Sequence, residues 1–225
     1  MRSIFEFTAF LVFCAVVAFY IIIVRPEEQD LKRSLEIAED VLDVYIERDE
    51  KIEDIAKAML VNYNITEYEA HYYAIMFYDF AKKYQTPWEL YAAIVRYETN
   101  FNPTLTSKKH ARGIMQLTES TAKELCKKLG IRYHKKIYWY EILSIVLGCT
   151  YLGESAQEGD IDYAIRVYVG GPAYAKNSAK NRETRQYVGE YGTTVHREMK
   201  RLQAIYKGIR AERALEKQDI ATQIK

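Results

Sequence analysis

The chain has 225 residues, enough for one well-buried domain and an appendage. Its 32 basic and 31 acidic residues leave a formal net charge of +1. Composition therefore gives no support for a nucleic-acid-binding protein, which needs a strongly basic face. With only 10 glycines and 4 prolines, the sequence favours long helices over many short strands.

The amino-terminal segment, residues 1–25, is predicted to be a transmembrane anchor. Its stretch from Ile4 to Val24 is apolar except at Glu6 and Thr8. A helix of that length spans about 30 Å, the thickness of a hydrocarbon core. A cleaved signal peptide is the main rival. Its apolar region would be shorter and end at a small-residue cleavage site, so an uncleaved anchor is favoured.

Residues 26–60 are predicted to form an acidic helical stalk. Apolar side chains recur there at spacings of three and four, which indicates a helix with one apolar stripe. These residues are Leu31, Leu35, Ala38, Leu42, Tyr45 and Ile52. The stripe suits either a short coiled coil or docking on the chain's own domain. Asp49 breaks the register and the run is short, so docking is favoured.

Two helix starts with capping-box patterns follow the stalk. Thr66 is predicted to open a helix that runs through Tyr84, and Thr86 to open the next, with Pro87 at its first position. Later helices are predicted over about 120–129, 138–156, 161–169 and 183–214. A catalytic body is expected over 61–205 and a polar carboxyl-terminal tail, which frays, over 206–225.

The cysteines and histidines indicate no bound metal. Cys126 and Cys149 could pair outside the cytoplasm, but both lie in helical, partly apolar stretches, and buried free thiols are favoured. The four histidines lack metal-ligand spacing. We predict neither a metal nor another cofactor.

Glu98 is the candidate acid of the sequence. It ends a predicted amphipathic helix and precedes a turn-rich loop containing Asn100, Asn102 and Pro103. Cleavage of a glycoside needs a proton donor, and a carboxylic acid with a raised pKa is the usual one. Partial burial beside Tyr97 would raise the pKa of Glu98. Position alone, however, does not separate such an acid from an ordinary solvated glutamate.

Four sequence blocks, in order, surround and follow Glu98. They are Glu98-Thr99-x-Phe101-Asn102-Pro103 with Ser107-x-x-x-Ala111-Arg112-Gly113-Ile114-Met115-Gln116; Ile145-Val146-Leu147-Gly148-Cys149-Thr150-Tyr151-Leu152; Val167-Tyr168-Val169-Gly170-Gly171-Pro172; and Glu183-Thr184-Arg185-Gln186-Tyr187-Val188. Together they resemble the signature of the soluble-lytic-transglycosylase (SLT) family, from about Ile65 to Leu202. Any one block alone would be a weak signal.

The resemblance implies an all-α, goose-type-lysozyme-like domain that cleaves peptidoglycan between N-acetylmuramic acid and N-acetylglucosamine. In that family the glutamate matching Glu98 protonates the glycosidic oxygen. It then takes a proton from the muramyl C6 hydroxyl, which closes a 1,6-anhydro ring. The substrate's own N-acetyl group replaces a second enzyme carboxylate, which explains why one glutamate suffices.

The same resemblance marks a set of candidate substrate-binding residues. They are Ser107, Met115, Gln116, Tyr168, Glu183 and Tyr187. For Gln116, sugar binding and a loop-bracing hydrogen bond are equally supported. Ser107 could instead cap a turn, Glu183 could cap its helix, and Met115 is better explained by packing.

Five positions depart from the family pattern. Thr99 replaces a serine, His110 a glycine, Thr118 a common methionine, Ser144 an asparagine, and Val169 the asparagine that follows Tyr168. The last change removes a polar group beside the expected site. These departures bear on substrate preference and rate but leave the acid in place.

The sequence therefore predicts a single-pass lytic transglycosylase of the bacterial cytoplasmic (inner) membrane. Its expected partners are peptidoglycan glycan strands, the membrane and, as a further candidate, an envelope-spanning machine. The domain from Glu27 onward should be extracytoplasmic, although the basic residues around the anchor weakly favour the opposite orientation. Two alternatives remain, a hydrolytic muramidase of the same fold and a non-catalytic peptidoglycan-binding scaffold.

Overall fold

The computed structural model describes residues 28–177 and 182–223. The predicted anchor, residues 1–25, lies outside these ranges. Within them, no helix combines the length and apolar character needed to cross a membrane. The described residues divide into two compact units, with the boundary between Lys51 and Ile52.

The described residues are helical, and β structure among them is limited to isolated bridges within residues 106–117. The all-α prediction is confirmed for this part of the chain. The helices are α1 (Glu28–Asn62), α2 (Glu67–Tyr84), α3 (Trp88–Thr99), α4 (Glu119–Lys128), a 3-10 turn (Ile137–Trp139), α5 (Glu141–Glu158), α6 (Ile161–Gly170), α7 (Pro172–Asn177) and α8 (Arg182–Gln223).

In the first unit, α1 contributes residues 28–51. Several large apolar side chains are exposed there, with relative exposures between 37% and 66%. They are Ile37, Val41, Leu42, Val44, Tyr45 and Ile46. The choice between a coiled coil and docking for the stalk therefore remains open.

In the second unit, the core is built around α3. Every residue of α3 from Trp88 to Val95 is buried. The helix packs on α2 and, most extensively, on α8, while α2 also packs on α5. Ile52, Ile55 and Met59 are buried in the same core. Residues 52–60, which the sequence assigns to the stalk, are therefore part of the second unit. Because the central helix is enclosed, its carboxyl-terminal end is held in a fixed position.

The start of α2 matches its prediction. Thr66 is the N-cap, and its hydroxyl accepts a hydrogen bond from the backbone N–H of Glu69 at 3.2 Å. The Glu69 carboxylate in turn accepts from the backbone N–H of Thr66 at 2.8 Å. This reciprocal pair is the capping box that the sequence predicts.

The start of α3 differs from its prediction. Pro87, not Thr86, is the N-cap, and the helix has no side-chain cap. The Thr86 hydroxyl instead lies 2.7 Å from the hydroxyl of Tyr91, one turn into the helix. A contact with a neighbouring aromatic residue thus replaces the local cap.

The last helix is longer than predicted and continues to Gln223 rather than ending near residue 214. Apolar residues at helical spacing, Ile205, Tyr206 and Ile209, keep packing on the core past Leu202. The ring of Tyr206 meets that of Trp88 edge-on at 5.8 Å. The first part of the predicted polar tail is therefore packed on the body.

Three smaller observations complete the fold. The predicted helix over 138–156 is interrupted at Tyr140, so it becomes a 3-10 turn followed by α5. The short α7 was not predicted. Cys126 and Cys149 are both buried and free, as favoured from the sequence.

Candidate active site

Glu98 lies in the last turn of α3, and the chain leaves the helix immediately after it. Asn100 and Phe101 adopt left-handed backbone angles, with φ of 52° and 64°. The N–H of Asn100 bonds the carbonyl of Arg96 and closes the helix. The half-buried carboxyl group of Glu98 therefore sits at the junction between a rigid helix and a loop.

The phenol of Tyr191 holds this carboxyl group. Tyr191 comes from α8 and is 1% exposed, and its hydroxyl donates a hydrogen bond to Oε1 of Glu98 at 2.7 Å. Because Oε1 accepts this bond, a proton on the acid form belongs on the other oxygen, Oε2.

Burial raises the pKa of Glu98 from 4.5 to about 7. The hydrogen bond from Tyr191 acts in the opposite direction, because it favours the charged form, but burial dominates. A pKa raised towards neutrality allows the carboxyl group to hold its proton until the reaction begins and to act as a base once the proton has left. A group with this property can donate a proton and later accept one.

Aromatic rings flank Glu98 on the α8 side. The ring centroids of Tyr97 and Tyr191 are 4.2 Å apart, and those of Tyr187 and Tyr191 are 6.5 Å apart. Tyr187 is half exposed, and its pKa is raised by burial and by the nearby Tyr97 and Glu98. The structure thus brings the predicted residue Tyr187 close to Glu98 and leaves it half exposed, and an exposed aromatic ring is the kind of group on which a sugar stacks.

Tyr168 is also brought close to Glu98. Burial, followed by the charge of Glu98, raises the pKa of Tyr168 well above its usual value. Its hydroxyl donates to the backbone carbonyl of Met115 at 2.6 Å. Tyr168 therefore links α6 to the loop that follows Glu98, a contact that fixes the position of that loop.

Two of the three predicted residues of the loop, Ser107 and Gln116, hold it together. The hydroxyl of Ser107 accepts from the N–H of Ala111 at 3.0 Å. The side-chain nitrogen of Gln116 donates to the carbonyls of Leu105 and Gly113, at 3.1 and 3.0 Å. These are the turn-capping and bracing contacts considered from the sequence, and sugar binding by Ser107 and Gln116 remains a prediction.

Met115, the third residue, is fully buried. It packs on Gly148 of α5, where an added Cβ would lie only 2.5 Å from the terminal methyl group of Met115. Packing of the side chain was the favoured interpretation. Glycine at 148 is what allows this close approach.

Glu183 lies in the first turn of α8, and its side chain is outside the described part of the structure. Its predicted role is therefore untested.

The family departures have visible structural roles. The Thr99 hydroxyl donates to the carbonyl of Ile114 at 3.0 Å and so joins α3 to the loop. His110 keeps a left-handed backbone, φ 61°, at the position where glycine is usual. Thr118 is the N-cap of α4. Val169 is partly buried and packs against the core.

Ser144 is fully buried, and its hydroxyl has no hydrogen-bond partner among the described residues. It lies beneath Gly113, where an added Cβ would be 3.1 Å from the Ser144 oxygen. The structure offers no further account of the serine at this position.

Sequence reasoning missed Tyr191. It follows Tyr187 by four residues and so shares its face of α8, and that spacing is the signal that could have identified it. Of the described residues, no group of three or more histidine, cysteine, aspartate and glutamate side chains is arranged to hold a metal ion.

Comparison with known proteins identifies a family match. The transglycosylase SLT domain family matches residues 75–190, just over half of the chain. The matched range contains Glu98, the loop that follows it, Tyr168 and Tyr187.

Curated relatives bear the name membrane-bound lytic murein transglycosylase F. The protein from Pseudomonas fluorescens (strain Pf0-1) is 37% identical over 124 residues, 52% of this chain and 23% of the relative. The protein from Pseudomonas syringae pv. syringae (strain B728a) is 43% identical over 61 residues, 27% of this chain and 11% of the relative. The chain thus spans less than a quarter of the length of these relatives.

A solved structure is also similar, that of an inactive mutant of lytic transglycosylase Slt from Pseudomonas aeruginosa. The sequence identity is 25%, the TM-score is 0.48, and the match covers 58% of this chain and 24% of the other.

Proposed function

The chain belongs to the transglycosylase SLT family, and on that basis we propose that it is a peptidoglycan lytic transglycosylase with Glu98 as its acid and base. The bond cleaved is the one between N-acetylmuramic acid and N-acetylglucosamine, and the product carries 1,6-anhydro-N-acetylmuramic acid. The observation that carries the proposal is the contact, at the expected motif position, between the half-buried carboxyl group of Glu98 and the buried hydroxyl of Tyr191, where burial raises the pKa of the acid to about 7.

In the first step Glu98, protonated on Oε2, donates that proton to the glycosidic oxygen, and the bond from this oxygen to C1 of the muramic acid breaks. The N-acetyl group of the same sugar stabilises the positive charge that develops at C1. Tyr191 keeps the carboxyl group oriented and stabilises the carboxylate that the first step leaves.

In the second step the Glu98 carboxylate takes the proton of the muramyl C6 hydroxyl. The C6 oxygen then bonds to C1 and closes the anhydro ring. Glu98 ends the cycle protonated, as it began. The two steps place opposite demands on one group, and a pKa near neutrality meets both.

We also propose that the domain works at the outer face of the cytoplasmic membrane. The predicted anchor of residues 1–25 and the words "membrane-bound" in the relatives' name support this location. A reporter active only in the cytoplasm, fused to the carboxyl terminus, is expected to be inactive. An active reporter would contradict the proposed orientation.

The test of activity compares the full chain in detergent with two variants, Glu98→Gln and Glu124→Gln, on purified sacculi. Glu124 is an exposed glutamate of α4 and serves as the matched control. Mass spectrometry of released muropeptides should find anhydro-muramyl products from wild type and the control. The Glu98 variant should be slower by at least about 100-fold.

Other products would decide between the alternatives. Reducing-end products from wild type would indicate a hydrolytic muramidase, in which water replaces the C6 hydroxyl as the nucleophile. Retained binding to sacculi without any products would indicate a non-catalytic scaffold.

A further inference from the structure

A second concave surface lies between α6, α7 and α8, apart from Glu98. It is a cleft of about 1090 Å³ lined by Ile165 and Arg166 of α6, Ala175 of α7, and a run of α8 residues. That volume suits a short peptide rather than a single ion.

The cleft and the site of Glu98 use different faces of α8. Tyr191 of α8 contacts Glu98, whereas Gly189, Gly192 and His196 of the same helix line the cleft. Successive residues of an α-helix are turned by about 100°, so Gly189 and His196 lie roughly opposite Tyr191. The cleft is therefore a separate surface one helix away from the catalytic carboxyl group.

The polar side chains of the cleft carry an excess of positive charge. Arg166, Arg197 and Lys200 contribute three cations, and the facing carboxylate is Asp162. Asp162 is already engaged, because its Oδ1 lies 2.5 Å from Nε2 of His196. The remaining cations favour a ligand with carboxylate groups, which arginine binds in a bidentate manner.

Two glycines widen the cleft at a cost to the helix. Glycine is among the poorest helix formers, yet Gly189 and Gly192 lie within the long α8. Close packing does not require them. An added Cβ at Gly189 would meet no atom within 4 Å, and one at Gly192 would meet only Ile165, at 3.9 Å. Their effect is to leave open space between the apolar floor (Ile165, Val188, Ala175) and the cations.

We propose that this cleft binds the peptide stem of peptidoglycan, with Arg166, Arg197 and Lys200 receiving the stem carboxylates. The stem combines these carboxylates with the small methyl side chains of alanine, which fit an apolar floor widened by glycines. The inference rests on the proposed function, because it assigns the cleft to the same substrate.

The distance between the two surfaces is compatible with one substrate. An α-helix with its side chains is about 10–12 Å in diameter. A stem of three to five residues, fully extended, spans at most about 10–18 Å. A stem attached to a muramic acid beside Glu98 has to pass round half the circumference of α8, about 16–19 Å, so a stem of about five residues is long enough to reach the cleft and one of three residues is not. Binding there would favour glycan that still carries its stems.

The test fills the cleft without damaging the helix. In the full chain, Gly189→Leu places a side chain in open space and removes a poor helix former, so the melting temperature should stay the same or rise. Gly208→Leu is the matched control, because Gly208 is a second α8 glycine with no atom within 4 Å of an added Cβ, and it does not line the cleft. The probe is the free tripeptide L-alanyl-γ-D-glutamyl-meso-diaminopimelate, and its binding is measured by calorimetry.

Wild type and Gly208→Leu should bind the tripeptide equally, and Gly189→Leu should bind at least ten-fold more weakly. Arg197→Gln should weaken binding as well and reduce its dependence on salt. Equal binding by all variants, or none by wild type at millimolar tripeptide, would overturn the proposal. So would inorganic phosphate that displaces the tripeptide at equal concentration, since the cleft would then be an unselective anion site.

This experiment needs no bond cleavage, so it fails separately from the proposed function. Tripeptide binding by a chain that releases no muropeptides would overturn the lytic activity and leave the cleft assignment standing. Muropeptide release without tripeptide binding would support the lytic activity and overturn the cleft assignment. Glu98→Gln should bind the tripeptide as wild type does, because Glu98 does not line the cleft.

Discussion

The hydroxyl of Tyr191 donates a hydrogen bond to Oε1 of Glu98 at 2.7 Å, across 93 residues of sequence. Tyr191 is buried, and its ring is packed against Tyr97, so the donor has little freedom to leave the carboxyl group. The contact lowers the pKa of Glu98, while burial raises it more strongly to about 7. Two opposing influences thus set the protonation of the candidate acid.

Replacing Tyr191 by phenylalanine should move the pH dependence of activity. Tyr191→Phe keeps the ring but removes the bond that favours the charged form, so the pKa of Glu98 should rise further. Because a hydrogen bond to a charged group is worth roughly 1.5 kcal/mol, the alkaline limb of the rate profile should shift upward by about one pH unit. The shift is tested by measuring muropeptide release between about pH 5 and pH 9, which covers about two units on either side of neutrality.

Tyr68→Phe is the control for that experiment, because Tyr68 is 73% exposed and lies at the start of α2. Its profile should overlay that of wild type. A Tyr191 variant with lower activity but an unmoved alkaline limb would show that Tyr191 only supports the fold.

Glu98 should also lower the stability of the protein at alkaline pH. A carboxyl group whose pKa is raised by folding contributes no penalty below its unfolded value of 4.5. The penalty grows as the pH rises from 4.5 to about 7 and stays constant above that. Glu98→Gln removes this penalty and still accepts the bond from Tyr191. At about pH 8 the variant should be more stable than wild type by about 1 to 3 kcal/mol, and at about pH 4 the gain should vanish.

Urea unfolding at the two pH values measures the difference. A variant that is less stable than wild type at the higher pH would contradict the burial of this carboxyl group.

The loop after Glu98 should tolerate no side chain at Gly113. The backbone there has φ of 74°, and an added Cβ would lie 2.2 Å from the carbonyl oxygen of Tyr138. Gly113→Ala should therefore cost more than about 3 kcal/mol and abolish activity, because the carbonyl of Gly113 also accepts from Gln116. Thermal unfolding and muropeptide release measure the two effects.

Gly130→Ala separates the effect of the left-handed backbone from that of the clash with Tyr138. Gly130 has a similar φ of 67°, but an added Cβ there would meet no atom within 4 Å. This variant should be less stable by only about 1 kcal/mol, the cost of a left-handed backbone at a residue other than glycine, and it should keep its activity. Equal losses for both variants would show that the contact with Tyr138 is unimportant.

A buried ion pair should make α8 sensitive to substitution far from the site. Asp54 is fully buried, and Arg213 donates two hydrogen bonds to its Oδ1, at 2.8 and 2.5 Å. Arg213→Met leaves this carboxylate largely uncompensated and should cost roughly 3 to 5 kcal/mol. Arg210→Met should cost clearly less, because Arg210 reaches Asp54 only at 3.4 Å and is more exposed. Urea unfolding at neutral pH ranks the two, and the reverse order would contradict the prediction.

Local chemistry explains what could be predicted from the sequence. The capping box at Thr66 involves residues three apart, so the pattern contains the whole contact. The same pattern at Thr86 failed because the hydroxyl of Tyr91 takes the place of the local cap. A motif defines only the contacts among its own residues, and side chains from elsewhere can replace them.

Contacts between distant residues explain what was missed. Arg210 and Arg213 look like surface residues in the sequence, because their partner Asp54 is more than 150 residues away. The prediction of a fraying tail from residue 206 rests on that surface character of Arg210 and Arg213. In the same way, the motif blocks identified Glu98, whereas its contact with Tyr191 depends on how α3 and α8 pack together.

The ion pair between Asp54 and Arg213 has a consequence for dissection of the chain. The region that matches the family, residues 75–190, is not a unit that can be cut out intact. A fragment ending at 190 lacks Tyr191, Leu202 and Tyr206, and one starting at 75 lacks the buried residues of α1. The smallest autonomously folding fragment should extend from about residue 52 to at least Arg213. The segments 52–74 and 191–213, which flank the matched region, are therefore obligatory for the fold.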